Sequence, residues 1–247
     1  MLGWPFRAAL TYIVRRSAVV ISLGGKLTGI LHRVTAGSRC RVVVVPNATD
    51  VPSDAPMITD AKTAVDRPVE LLFVGRFAFN KGLDVLMAVA QRLIKEEKAG
   101  LVRFQLAGDG PLLAEYQRAG LPGNVELLGR VDDDRLASLY RACDALILPT
   151  RFEGMPTVVL EAMARAKPII VSDVGASAEL VSMHNGYLLP PGDADALYHA
   201  VVAFAGRSPE VRAKMGAYSY QRVRELYSWP VVASGFERLF AQVTEGK

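Results

Sequence analysis

From about residue 68 onwards, short apolar runs rich in β-branched residues alternate with longer stretches in which apolar positions recur at helical spacing. This alternation is typical of βαβ units, in which helices connect parallel strands. The runs are almost continuously apolar, as expected for strands that are covered on both faces. The pattern predicts strands at Glu70–Gly75, Leu101–Ala107, Val125–Leu128, Asp144–Leu148, Pro168–Ser172 and Gly186–Leu189.

The stretches between these strands predict helices, several of which start with an Asp, Thr or Pro that favours the first turn. Strands and helices together predict an α/β fold built on a doubly wound parallel sheet. In such sheets ligands bind beyond the carboxyl ends of the strands, so the loops that follow the strands are the places to look for chemistry. The helices are predicted to begin near Gly82, Pro111, Asp133, Thr157, Ala176 and Asp193.

Only two further β units precede this region, and they are too few for an independent core. Residues 1–46 are therefore predicted to be a piece of a second domain. Their predicted elements are the helix Pro5–Arg16, the strand Ala18–Ser22, the helix Gly25–Val34 and the strand Arg41–Val45.

Three segments follow the remnant. Residues 47–68 are polar and contain prolines, which predicts a hinge and linker, and residues 69–228 form the predicted main domain. The helical pattern breaks at Ser228–Pro230. It resumes as an amphipathic helix over Val231–Val243, within a C-terminal segment of residues 229–247.

The charge is unevenly distributed along the 247 residues. The net charge is +4, yet residues 1–49 contain seven Lys or Arg and no Asp or Glu. Such a segment is compatible with contact with an anionic membrane surface, or with a solvated basic face. Aromatic residues do not alternate with the basic ones, so nucleic acid is not expected as a partner.

Cysteine and histidine spacing predicts neither a disulfide framework nor a metal site. The N-terminal apolar runs are interrupted by Arg15–Arg16 and fall short of the roughly 20 residues that a bilayer-spanning helix needs. No signal-peptide cleavage pattern follows them. These features predict a cytoplasmic protein, at most peripheral to the inner face of a membrane.

The segment Glu153–Glu161, with the sequence EGMPTVVLE, carries the strongest chemical pattern. Glu153 follows a predicted strand and Glu161 lies about one turn into the next helix, so the two carboxylates can bind two hydroxyl-bearing parts of one ligand. The helix start offers backbone N–H groups to a phosphate. The alternative interpretation is that Glu153 and Glu161 are solvated surface residues. The turn between them consists of Gly154, Met155, Pro156 and Thr157.

Two more motifs follow predicted strands. Gly75-Arg76 with Lys81-Gly82 brings two cations together, which suits a diphosphate. In Gly108-Asp109-Gly110-Pro111 the glycines allow the backbone to approach a ligand or a neighbouring helix. Alone, each motif could be surface charge or a turn. Because all follow strands of one predicted sheet, a common binding site is favoured.

The triplet Asp132-Asp133-Asp134 has two interpretations. An Asp-x-Asp pattern can hold a divalent metal between diphosphate oxygens. At a predicted helix start, however, carboxylates cap free N–H groups, and this structural interpretation is favoured.

Taken in order, these motifs resemble the C-terminal domain of family 4 (group 1) glycosyltransferases of GT-B fold. The resemblance extends from about Ser17 to the C-terminus. Val42–Asn47 is similar to that family's entry into the interdomain hinge, and Ser228–Trp229 to its return helix. The matching motifs include Val74-Gly-Arg76, Lys81-Gly82, Gly108–Pro111, Glu153–Met163 and Asn185–Asp193.

The resemblance implies a retaining enzyme that transfers a sugar from a nucleotide diphosphate sugar to a saccharide or lipid-linked acceptor, in polysaccharide or cell-envelope glycan synthesis. No metal or other cofactor is implied. Arg76 and Lys81 would bind the diphosphate and stabilise the leaving group. Glu153 would bind the donor sugar, Glu161 the ribose, and the backbone at Val131 the base.

Complete enzymes of that family also have an N-terminal, Rossmann-like acceptor domain, of which this chain matches only two β units. The resemblance therefore implies that residues 1–46 are the remnant of that acceptor-side domain and that residues 69–228 are the donor nucleotide-sugar-binding domain. Catalysis is therefore expected to need a missing N-terminal domain or a partner chain. One alternative is a nucleotide-sugar-binding subunit of a split enzyme, or an inactive fragment. Epimerisation is disfavoured because the predicted site loops lack an evident base. A dehydrogenase is disfavoured because no G-x-G-x-x-G follows the first strand.

Overall fold

The computed structural model describes residues 4–53 and 67–245, which form two parallel sheets flanked by helices. The small sheet contains β1 (Val19–Ser22) and β2 (Arg41–Val44). The large sheet contains β3 (Val69–Val74), β4 (Val102–Ala107), β5 (Val125–Gly129), β6 (Ala145–Leu148), β7 (Ile169–Ser172) and β8 (Gly186–Leu189). The helices are α1 (Trp4–Arg16), α2 (Gly25–Thr35), α3 (Leu83–Lys95), α4 (Leu113–Ala119), α5 (Asp133–Ala142), α6 (Thr157–Ala164), α7 (Ser177–Leu180), α8 (Ala194–Ala205), α9 (Pro209–Leu226) and α10 (Trp229–Glu245).

The large sheet has the strand order β5-β4-β3-β6-β7-β8, and every neighbouring pair is parallel. The chain starts at β3, moves outwards through β4 and β5, and then returns to β6 on the other side of β3. The winding direction therefore reverses between β3 and β6. A crevice at the carboxyl ends of these two strands is where such folds bind ligands. The doubly wound parallel sheet is confirmed.

Burial explains why these strands appear in the sequence as continuous apolar runs. Every residue of β6 and β7 is buried, so helices cover the sheet on both faces and no polar alternation is left in the sequence. Each fully buried Val, Leu or Ile stabilises the fold by roughly 1.5–3 kcal/mol relative to an exposed one. These strands form the rigid base from which the site loops emerge.

The return helix begins earlier than the predicted amphipathic stretch, although within the predicted C-terminal segment of residues 229–247. α10 begins at Trp229 and not at Val231, because Pro230 lies in the first turn, where its missing N–H costs nothing. The break consists of Tyr227 and Ser228, and Ser228 forms a bridge with Thr49. Most of the predicted linker, residues 54–66, lies outside the described residues.

The small sheet and the return helix pack together. Val45 and Ala48, which follow β2, form a second buried cluster with Val232 and Leu239 of α10. Val19 and Val43 of the small sheet pack against this cluster. Residues from the two ends of the chain thus share one core, although the predicted domain boundaries remain predictions. Within residues 4–53 and 67–245, no helix combines the length and the apolar character needed to cross a membrane.

Candidate functional site

Two loops meet at the crevice between β3 and β6. The β3 loop comprises residues 75–82, and the β6 loop comprises residues 149–156. The carbonyl oxygen of Asn80 accepts hydrogen bonds from Thr150 Oγ1 at 2.8 Å and from the Arg151 N–H at 2.7 Å. Because both donors belong to the β6 loop, these bonds hold the two loops side by side.

An ion pair reinforces this contact. Arg151 donates to Asp84 Oδ1 at 2.6 Å and to Oδ2 at 2.7 Å, and its guanidinium lies 4.4 Å from the ring centre of Phe79. Hydrogen bonding to Arg151 lowers the pKa of Asp84 below its usual value. The aspartate therefore stays charged at neutral pH, and the Arg151–Asp84 ion pair stays intact.

Gly82 permits the close approach of the loops. Its φ is +72°, and a Cβ at this position would collide with the carbonyl oxygen of Pro149. Only glycine adopts this backbone conformation without strain and also leaves room for the neighbouring loop. The short 3₁₀ turn Phe79–Lys81 is thereby placed against the β6 loop.

Lys81 and Glu153 form an ion pair that joins the two loops. Both side chains are largely shielded, with exposed fractions of 20% and 18%. The structure thus brings together a cation and a carboxylate that the sequence had assigned to one site from separate motifs. Arg76 is exposed on the same β3 loop. Its side chain has no ion-pair partner among the residues that the structure describes.

The loop after β4 packs directly on the β3 loop. A Cβ on Gly108 would collide with the carbonyl oxygen of Gly75, and a Cβ on Gly110 would collide with the backbone of Phe77. Asp109 stabilises the turn, since its Oδ1 accepts from the Gly110 N–H at 2.6 Å. These glycines permit close contact between loops, and their predicted contact with a ligand remains a prediction.

The start of α6 forms the other wall of the crevice. Met155 and Pro156 are buried, whereas Gly154 and Thr157 are exposed. No side chain of a described residue caps α6. The Val159 N–H donates to the Pro156 carbonyl oxygen at 3.2 Å, so the N–H groups of Thr157 and Val158 remain available to water or to an anion. Asn47 from the predicted hinge donates to the Met155 carbonyl oxygen at 2.7 Å, which ties the hinge to this wall.

Glu161 lies half-buried on α6, where Oε2 accepts from the hydroxyl of Tyr140 at 3.0 Å. Tyr140 is only 1% exposed. Burial, followed by the charge of Glu161, raises the pKa of Tyr140 far above its usual value. Sequence reasoning had not identified Tyr140. Val131, the predicted base contact, is half-buried and packs against the main core.

Asp132 caps α5. Its Oδ1 accepts from the Arg135 N–H at 2.8 Å, and the helix begins at the next residue. The capping interpretation of the aspartate triplet is confirmed. Over residues 4–53 and 67–245, no three His, Cys, Asp or Glu side chains lie close enough together to hold a metal ion.

The cap leads to a stability prediction. Asp132→Ala should lower the free energy of unfolding by about 1 kcal/mol, because it leaves a first-turn N–H of α5 without its acceptor. Asp132→Asn preserves the acceptor and serves as the control. Urea unfolding measures both variants. Unchanged stability in the alanine variant would contradict the capping role.

Comparisons with known proteins identify the family and the fold of the chain. A family model described as "Glycosyl transferases group 1" matches residues 68–206. Phosphatidyl-myo-inositol mannosyltransferase of Mycolicibacterium smegmatis is 32% identical over 207 residues, which cover 82% of this chain and 52% of that protein. The chain spans about half the length of the curated relatives it matches.

Solved structures extend the match to the small sheet. Sucrose-phosphate synthase from Thermosynechococcus elongatus superposes with a TM-score of 0.78 at 25% identity, covering 97% of this chain and 62% of that one. Anabaena HepE in complex with UDP-glucose superposes with a TM-score of 0.75 at 20% identity, covering 96% and 67%. The second likeness concerns the fold alone.

Proposed function

Since this chain belongs to the group 1 glycosyltransferase family and has the GT-B fold, we propose that it forms the donor-binding half of an enzyme. The reaction would transfer a sugar from a nucleoside diphosphate sugar to a saccharide or lipid-linked acceptor in glycan synthesis. The observation that carries the proposal is the Lys81–Glu153 pair. It joins a phosphate-binding type of side chain to a hydroxyl-binding one at the point where the sheet reverses its winding.

The β3 loop supplies the charge that the leaving group requires. When the bond between sugar and phosphate breaks, negative charge builds up on the departing diphosphate. Arg76 and Lys81 can offset this charge, Arg76 through a two-pronged hydrogen bond and Lys81 as a point charge. The free N–H groups at the start of α6 add partial positive charge on the opposite wall. This cationic pair takes the place of a metal ion in the proposed mechanism.

The two glutamates recognise hydroxyl groups. Glu153 in the β6 loop would accept hydrogen bonds from the donor sugar, and Glu161 on α6 would accept them from the ribose. The backbone near Val131 would contact the base. We infer that the transfer retains the anomeric configuration, in keeping with the family resemblance of the motifs.

Because Anabaena HepE, which shares the fold, was solved in complex with UDP-glucose, UDP is the first probe of the proposed donor class. A calorimetric panel of UDP, GDP and ADP should identify one nucleotide that binds in the micromolar range. Glu161→Ala should weaken this binding about tenfold, because two ribose hydroxyls lose a charged acceptor. Absence of binding by all three nucleotides, or equal affinity in wild type and variant, would refute the ribose assignment.

A second proposal is donor binding without transfer by this chain alone. It is favoured by the small sheet, whose Ile21 and Val44 are 41% and 47% exposed, although parallel sheets are normally covered on both faces. A further Rossmann-like domain, on the same polypeptide or on a partner, would cover them and carry the acceptor site. Nucleotide binding without sugar transfer to any acceptor would support this proposal, and transfer by the isolated chain would refute it.

A further inference from the structure

We propose that Tyr140 is a positioning residue whose buried hydroxyl holds the Glu161 carboxylate in the orientation that binds the nucleotide ribose. This inference rests on the proposed function. It concerns a residue that contacts Glu161 and has no assigned role in the family resemblance described above.

The hydroxyl of Tyr140 has two acceptors within reach. Glu161 Oε2 lies at 3.0 Å and the Val158 carbonyl oxygen at 3.3 Å. A phenol has one proton to donate. The charged and closer carboxylate is the stronger acceptor, so the hydrogen bond is directed to Glu161.

The surroundings keep this hydrogen bond in place. Burial raises the pKa of Tyr140, so the hydroxyl remains a donor at physiological pH. Arg165 contacts both residues: it donates to the Glu161 carbonyl oxygen at 3.1 Å, and its guanidinium lies 5.0 Å from the ring centre of Tyr140. The glutamate is thus fixed through both its backbone and its side chain.

The arrangement leaves one carboxylate oxygen available. Oε2 of Glu161 is engaged by Tyr140, whereas Oε1 accepts no hydrogen bond from any residue that the structure describes. A carboxylate held at one oxygen loses less conformational entropy when the other binds a ligand hydroxyl. Phenylalanine would fill the same core volume, so core packing alone does not account for the hydroxyl.

The test compares Tyr140→Phe with wild type by calorimetry, using UDP and 2′,3′-dideoxy-UDP as probes, or the GDP or ADP pair if that base binds in the panel. Loss of the hydroxyl should weaken binding of the ribonucleotide about fivefold and leave binding of the dideoxynucleotide unchanged. A purely structural role would weaken both nucleotides equally, and that result would overturn the inference.

Tyr198→Phe is the matched control. Tyr198 is 3% exposed and its hydroxyl donates to Glu96, so the variant also removes a tyrosine–carboxylate hydrogen bond, but between α8 and the end of α3. It should bind both nucleotides like wild type. If Glu161→Ala weakens ribonucleotide binding and Tyr140→Phe does not, the inference fails while the proposed function stands. If Glu161→Ala has no effect on ribonucleotide binding, the ribose assignment of the proposed function is wrong, and the inference that rests on it is wrong as well.

Discussion

Replacing Arg76 with alanine is expected to weaken nucleoside diphosphate binding by about 10- to 150-fold, the range that corresponds to the loss of charged hydrogen bonds worth about 1.5–3 kcal/mol. Lys81 is partly neutralised by Glu153. Arg76 is exposed on the same loop, and its side chain forms no ion pair with a carboxylate of any described residue. The larger part of the electrostatic attraction for a diphosphate is therefore assigned to Arg76.

Calorimetry with the nucleoside diphosphate and with the corresponding nucleoside measures this effect. Only the diphosphate should lose affinity in Arg76→Ala. Arg103→Ala is the control: Arg103 is also an exposed arginine, but it lies at the amino end of β4 and pairs with Glu126. Unchanged diphosphate affinity in Arg76→Ala, or an equal loss in Arg103→Ala, would contradict the assignment.

Replacing Glu153 with glutamine is expected to have opposite effects on two ligands. Free nucleoside diphosphate should bind about threefold more tightly, because the phosphates no longer compete with a carboxylate for Lys81. The nucleotide sugar should lose at least about tenfold in affinity relative to the free nucleotide, because glutamine is a weaker acceptor for the sugar hydroxyls.

The measurement is the ratio of the two dissociation constants in wild type and variant. Glu126→Gln is the control, since Glu126 also pairs with a basic residue but on the edge strand β5. It should leave the ratio unchanged. A Glu153→Gln variant in which both ligands change affinity by the same factor would refute a specific contact between Glu153 and the sugar.

The large sheet was predictable because its strands are buried on both faces. Runs such as Ala145–Leu148 contain no outward polar position, so the strands and their parallel arrangement could be inferred from the alternation with helices. The boundaries were less predictable. Trp229 and Pro230 read as a break, because proline ends most helices, yet the same residue type is tolerated in a first turn.

The loops of the site were predictable for a topological reason. Parallel strands place all their carboxyl ends at one edge, so motifs that follow β3, β4 and β6 had to lie near one another. The sequence did not predict which side chains pair. Lys81 contacts Glu153, which lies 72 residues further along the chain. The Arg151–Asp84 ion pair depends on how the β6 loop packs against the start of α3.

Tyr140 is a site residue that the sequence prediction missed, although the residue type gave an indication. In the sequence it occupies a core-facing position of an amphipathic helix and looks like ordinary packing. A buried tyrosine nevertheless needs a partner for its hydroxyl, and that requirement could have prompted a search for a nearby acceptor. Identifying Glu161 as this acceptor required the structure, because α5 and α6 are separated in the chain by β6.

The most direct test of the account is a crystal structure of the chain with the nucleoside diphosphate that binds best. Diphosphate density is expected in the crevice between the β3 loop and the start of α6, within hydrogen-bonding distance of Arg76 and Lys81, with the ribose next to Glu161. A well-ordered nucleotide bound elsewhere on the chain, with this crevice holding only solvent, would contradict it.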